Sequence, residues 1–133
     1  MVVKIIMGTM QNDTVMGTDG DEMLLDLAGD DFVYAGDGND DIYNDRGTDH
    51  LFGEGGNDLF SFHPKTATKI DPGHRVWIDG GTGDDTINFY RSEEGFELRD
   101  KGDRQIITFR GDAMRVVVEN AEHVVFTDAT WEL

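Results

Sequence analysis

From Gly8 onward the apolar residues fall on a nine-residue period. The chain reads GTMQNDTVM, GTDGDEMLL, DLAGDDFVY, AGDGNDDIY, NDRGTDHLF and GEGGNDLFS, and after an interruption GGTGDDTIN from Gly80. The eighth position is apolar in all seven blocks: Val15, Leu24, Val33, Ile42, Leu51, Phe60 and Ile87. In extended backbone its neighbours point to the opposite face, so the last three residues of each block predict a minimal strand with one inward side chain. The six residues before it, rich in Gly and Asp, predict a turn. A period held in phase over so many blocks is the mark of a stacked repeat. One block is then half a coil, alternate blocks stack on the same side, and the expected fold is all-β, a parallel β-roll.

Two polar columns accompany the apolar one. Position 4 is Gly in six blocks (Gly20, Gly29, Gly38, Gly47, Gly56, Gly83), with Gln11 departing. Glycine there permits positive φ and lets a carbonyl come close to an ion or a neighbouring turn. Position 6 is Asp in six blocks (Asp13, Asp31, Asp40, Asp49, Asp58, Asp85), with Glu22 departing. Stacking places Asp13, Asp31 and Asp49 on one edge and Glu22, Asp40 and Asp58 on the other. Stacked strands lie about 4.8 Å apart, so these carboxylates repel unless a cation sits between them. Calcium accepts six to eight oxygens in flexible geometry, whereas magnesium demands a stricter octahedron and softer metals want Cys or His.

Composition sharpens this picture. Low hydropathy, high net charge and 17 glycines also suit a disordered chain, but a disordered chain has no reason to hold three columns in register. The net charge is −17, and residues 1–61 hold 14 acids against Lys4 and Arg46. Such an excess repels phosphate backbones and anionic lipid, which makes nucleic acid and membrane poor partners and a hard cation the natural one. The absence of cysteine removes disulfides, thiolate metal sites and cysteine nucleophiles. Met1 to Met7 is too short for a secretory signal, so any export is expected to proceed without one. No apolar stretch reaches membrane-spanning length. Neither Ser61 nor Ser92 lies in a nucleophile-elbow context, and His50, His63, His74 and His123 form no H-E-x-x-H motif, so no enzyme is expected. A zinc site from His63 and His74 is far less expected than loop histidines without function.

The interruption, residues 62–79, spans 18 positions. It predicts a strand at Val76–Asp79 and a loop excursion over about 62–75, where both prolines fall. A gap of two whole blocks preserves parity and would place Asp85 beneath Asp49. Residues 1–88 are thus expected to form the roll and residues 89–133 a β-rich C-terminal cap. In the cap a hairpin pattern at Phe96–Arg99 and Gln105–Arg110 precedes β-rich runs at Met114–Val118 and Val124–Phe126. Outward positions carry Phe32, Tyr34 and Phe52 on one face and Met23, Leu25, Tyr43 and Leu59 on the other. Either the loop and the cap cover them, or they offer a docking patch to a protein or glycan partner or to a second copy.

The blocks resemble the G-G-x-G-x-D-x-U-x nonapeptides of the RTX, or haemolysin-type, calcium-binding repeats, most closely at GGTGDDTIN and AGDGNDDIY. The opening GTMQNDTVMGTDGDE and the stretch VENAEHVVFTDAT are also similar to segments of that family. The resemblance implies a right-handed parallel β-roll with Ca²⁺ between turns two blocks apart, held by position-6 aspartates and turn carbonyls. Carried onto this chain, the shared pairs are Asp13 with Asp31, Asp31 with Asp49, and Asp40 with Asp58, and Glu22 departs from the pattern opposite Asp40. Asp85 joins these carboxylates, and the turn residues around them are Gly29, Gly36, Asp37, Gly38, Gly47, Gly56 and Gly83. Asp19, Asp21, Asp30, Asp37 and Asp84 read as solvated turn acids or Asx-type turn formers, whose carbonyls are better ligands than their carboxylates. Glu22, and Asp26-Leu27 and Asn44-Asp45 in place of leading glycines, put ordinary occupancy of their turns in question. The resemblance further implies a secreted, extracellular protein that folds on calcium and leaves the cell by type I secretion. Other readings are a structural or adhesive module, or the C-terminal domain of a larger secreted enzyme.

Overall fold

The computed structural model describes residues 3–62, 73–110 and 114–133, and every regular element in them is a strand. In chain order these are β1 (Lys4–Met7), β2 (Thr14–Met16), β3 (Glu22–Leu25), β4 (Phe32–Tyr34), β5 (Asp41–Asn44), β6 (Thr48–Phe52), β7 (Leu59–Phe62), β8 (His74–Asp79), β9 (Thr86–Asn88), β10 (Phe96–Asp100), β11 (Gln105–Phe109), β12 (Met114–Glu119), β13 (His123–Val125) and β14 (Thr130–Glu132). They form two seven-stranded sheets. One has the order β1-β3-β5-β7-β9-β13-β14 and the other β10-β11-β12-β8-β6-β4-β2. The chain alternates between the sheets at every turn as far as β9, as a parallel β-roll requires.

Register follows the nine-residue period. Val15 lies beside Val33, Val33 beside Leu51, Leu24 beside Ile42, and Ile42 beside Phe60. All seven position-8 side chains are buried and fill the space between the sheets. This core is only one side chain wide per sheet, which is why the strands stay short and the turns carry so much of the fold.

The position-4 glycines are set by stacking. Gly56 has φ of 114°, and a Cβ there would lie 1.7 Å from the Gly38 carbonyl oxygen of the neighbouring coil. From the third block onward, where an added Cβ would lie within 2.6 Å of the neighbouring coil, no side chain fits at position 4.

The interruption departs from expectation in parity. β8 is a full member of the roll: Leu51 lies beside Ile78 and Asp49 beside Val76, so the strand expected at Val76–Asp79 supplies a half-coil of its own. The chain therefore returns for β9 on the even side, where Leu59 lies beside Thr86 and Phe60 beside Ile87. Asp85 accordingly stacks on Asp58 and not on Asp49. Phe62 belongs to β7, and His74 and Arg75 belong to β8, which narrows the expected 62–75 loop. The rest of that loop, with His63 and its suggested zinc pairing, lies outside the described residues.

Parallel stacking also continues past residue 88. β12 pairs with β8 and β13 with β9, both in parallel. The hairpin β10–β11 and strand β14 finish the two sheets in antiparallel fashion. Beneath them Phe62, Phe89, Phe96, Phe109, Phe126 and Trp131 pack ring against ring at centroid distances of 4.6–5.5 Å. The roll thus ends in a wider aromatic core, and adjoining strands take up its last backbone edges.

The outward aromatics stack on one another across strands. Phe32, His50 and Trp77 form one ladder, with centroids 4.8 and 6.2 Å apart, and Tyr34 and Phe52 a second at 4.9 Å. Phe32 and Trp77 remain exposed, so the C-terminal strands extend this sheet without covering its face.

Gly56→Ala should lower the stability of the folded chain by about 3 kcal/mol or more, because a steric clash adds to the φ strain. Gly102, with φ of 89° and nothing within 4 Å of an added Cβ, isolates the strain alone; Gly102→Ala should cost about 1 kcal/mol. Urea denaturation in calcium compares the two, and equal losses would contradict the stacking argument.

Candidate metal centre

The position-6 carboxylates build a hydrogen-bonded ladder along each edge. On the odd edge, Asp13 N–H donates to Asp31 Oδ1 (2.7 Å) and Asp31 N–H to Asp49 Oδ1 (2.9 Å). On the even edge, Glu22 N–H donates to Asp40 Oδ1 (2.8 Å), Asp40 N–H to Asp58 Oδ1 (2.9 Å), Asp58 N–H to Asp85 Oδ1 (2.8 Å) and Asp85 N–H to Glu122 Oε2 (2.7 Å). One oxygen of each acceptor carboxylate is thereby fixed by the backbone of the preceding coil, and it aims the other oxygen into the turn.

What that second oxygen meets divides the blocks. In the first two, Thr at position 2 closes the site: Thr9 donates through N–H and hydroxyl to Asp13 Oδ2, and Thr18 does the same to the Glu22 carboxylate. In the fifth, the Asn44 amide donates to Asp49 Oδ2 (2.7 Å). In the third, fourth, sixth and seventh, Asp31, Asp40, Asp58 and Asp85 each keep a buried Oδ2 without a partner. These four blocks also have position 2 in the left-handed region, at Leu27, Gly36, Glu54 and Gly81. A buried acceptor left unpaired costs about 1–3 kcal/mol, more when charged. Four such oxygens, arranged in order along the edges, fit a hard oxygen-seeking cation.

Burial without a counter-charge shows in the acidities. It pushes the Asp58 carboxyl up to about 7 and those of Asp40, Asp49 and Asp85 up to about 6. Asp26, also buried, is pushed up to about 8, with nearby Asp49 adding to the effect.

Position 5 forms a second ladder running in the opposite sense. Asp30 N–H donates to Asn12 Oδ1 and Thr48 N–H to Asp30 Oδ1; Asn39 N–H donates to Asp21 Oδ1, and Asp84 N–H to Asn57 Oδ1, all at 2.8–2.9 Å. Asp21 and Asp30 are thus exposed acids whose Oδ1 accepts from the backbone of a neighbouring coil. Around the aspartates, Gly29, Gly36, Gly38, Gly47, Gly56 and Gly83 all have positive φ. The Gly36 carbonyl accepts the Gly55 N–H (3.1 Å), and the neighbouring Asp37 is exposed.

Three residues of this arrangement escape the nonapeptide columns. Glu122 ends the even edge, and its signal is the repeated spacing of an acid two residues before an inward Val124. Asp26 and Asn44 occupy position 1, where Gly is ordinary, and both are buried. Glu22 holds its place in the even ladder despite the longer side chain, but Thr18 occupies its carboxylate.

The molecule is a parallel β-roll with stacked acidic turns suited to cations. The RTX calcium-binding nonapeptide repeat family matches in four copies, over residues 16–51, 45–62 and 76–89. The matched segments carry RTX calcium-binding nonapeptide repeats. It is similar in fold to the solution structure of the AlgE6R3 subunit from the Azotobacter vinelandii mannuronan C5-epimerase. That similarity has a TM-score of 0.59 at 23% identity and covers 84% of this chain and 72% of the other. No curated protein matches the sequence significantly.

Two outcomes follow from the unpaired oxygens. Asp58→Asn should weaken calcium binding roughly tenfold at the even edge, whereas Asp13→Asn, with its oxygen already taken by Thr9, should leave calorimetric binding near that of the parent. The second outcome concerns pH. Carboxyls raised above their ordinary 3.8 keep protons in the fold that the unfolded chain releases, so without calcium stability is greatest in acid and falls as pH rises from about 4 to 8. Calcium-free chain should therefore show more β dichroism at pH 5 than at pH 8, and millimolar calcium should reverse the order. A calcium-free β signal that grows with pH would count against this assignment.

Proposed function

We propose that this chain is a non-catalytic calcium module whose folding is coupled to Ca²⁺ and which works outside the cell. The observation that carries this reading is the set of four buried, unpartnered oxygens on Asp31, Asp40, Asp58 and Asp85. Ca²⁺ would supply positive charge to oxygens that otherwise repel one another across adjacent coils. The residues do the rest: their backbone ladder holds each carboxylate in place, and the glycine turns bring carbonyls to the same edge.

At extracellular-type affinities, about 10⁻⁴ to 10⁻³ M, a site at tenfold saturation adds about 1.4 kcal/mol. Four such sites add about 6 kcal/mol, comparable to the net stability of a small domain. A chain of this charge would then stay unfolded or molten at cytosolic calcium and fold on export. Its RTX repeats favour type I secretion as the route. A second reading, as a repeat module beside a catalytic domain in a larger secreted protein, is supported by the fold shared with the epimerase subunit.

Circular dichroism of the full chain tests the coupling. In EGTA the spectrum should be that of a largely unfolded chain, and millimolar Ca²⁺ should produce the β signal cooperatively. A β-rich spectrum unchanged by calcium would exclude calcium-driven folding.

A further inference from the structure

Position 1 of a block faces the second carboxylate oxygen of the same block. A Cβ added at Gly53 would lie 2.4 Å from Asp58 Oδ2, and one at Gly80 would lie 2.6 Å from Asp85 Oδ2. In the third block this place is taken by Asp26, and the Oδ2 of Asp31 in the same block has no partner. Asp26, Asp31 and Asp49 each offer an oxygen, and these oxygens lie within 4.8 Å of one another. All three side chains are fully buried.

The surroundings hold the cluster open without neutralising it. The Asn44 amide donates to Asp26 Oδ2 (2.6 Å) and Asp49 Oδ2 (2.7 Å), and Asp26 Oδ1 accepts the Asp45 N–H (2.9 Å). His74 Nε2 is engaged with Asn44 Oδ1 at 3.0 Å and stands 4.0 Å from Asp49 Oδ2. A carboxylate has about four lone-pair positions, so these bonds leave acceptor capacity on every member.

We propose that Asp26 converts the odd edge into a three-carboxylate site, in which Asp26, Asp31 and Asp49 together bind one calcium ion more tightly than the repeat turns do. This deepens the calcium-binding reading and rests on it. Affinity for a hard cation rises with the number of charged oxygen ligands and with the rigidity of the site. Both are greater here: three carboxylates converge, and the Asn44 amide pins two of them. Oxygen donors dominate and the one imidazole is already hydrogen-bonded, which favours calcium over zinc.

The test is calorimetric titration of the full chain with calcium, beside Asp26→Gly, which restores the ordinary repeat residue, and Asp26→Asn, which keeps the shape without the charge. The parent should show a tightest class of one ion. Both variants should lose that class, with the first dissociation constant weakened roughly tenfold or more, while the remaining ions bind and calcium-loaded dichroism stays the same. Variants that match the parent in ion number and tightest affinity would overturn the proposal and leave the calcium reading intact. Zinc displacing calcium from this class in the parent would also overturn it. A parent that binds no calcium at all would remove the underlying reading instead.

Discussion

Each stacked turn is held by a backbone N–H of one coil donating to a position-6 carboxylate of the next. That bond fixes register, because it joins equivalent residues of successive coils and tolerates no slip. It also creates the electrostatic problem of the fold. An anion anchored through one oxygen and buried on the other sits in line with like anions above and below. Short strands and a narrow core leave little apolar burial to offset that cost. The stability of the roll is therefore tied to whatever supplies positive charge to its edges.

The two edges meet this constraint differently. The even edge runs from Glu22 to Glu122 and keeps three open oxygens, on Asp40, Asp58 and Asp85. The odd edge is shorter: both Thr9 donors fall on its first carboxylate, its last carries a single Asn44 bond on Oδ2, and Val76 ends it without an acid. Between them lie Asp31 and the added Asp26. Hydroxyls, an amide and open oxygens are thus alternative answers to one geometric position, chosen block by block. The pair Gly-Thr at the start marks the turns whose carboxylate a threonine engages, and a left-handed second residue marks those with an open oxygen.

The C-terminal strands answer a separate need. A roll that stopped at β9 would leave two sheet edges and the end of its core exposed. β12 and β13 carry the parallel stacking one coil further, and the hairpin and last strand then turn it antiparallel over a cluster of aromatic rings. Val118 and Val124 take the place of the position-8 residues in this last coil, Val116 continues the line of Val76, and all three are buried. Outside, the stacked Phe32, His50 and Trp77 are a consequence of in-register parallel pairing, which sets equivalent side chains side by side.

The sequence alone determined the repeat, its half-coil geometry, the inward column and the identity of the edge carboxylates. Those follow from a strict period, and a period is local information that any block reveals. Parity across the interruption was not local. The strand at Val76–Asp79 was legible, but whether it took a place in the stack depended on β8 finding β6, with Val76 in the place of an acid, and that choice moved Asp85 from one edge to the other. The state of each carboxylate was likewise a tertiary decision. Asp13, Asp31 and Asp49 are alike in sequence, yet one is closed by a threonine hydroxyl, one is open and one is held by an amide. The partners of a buried oxygen come from whichever turns stack beside it, and only the folded chain brings Asp26, Asn44 and His74 to the same place.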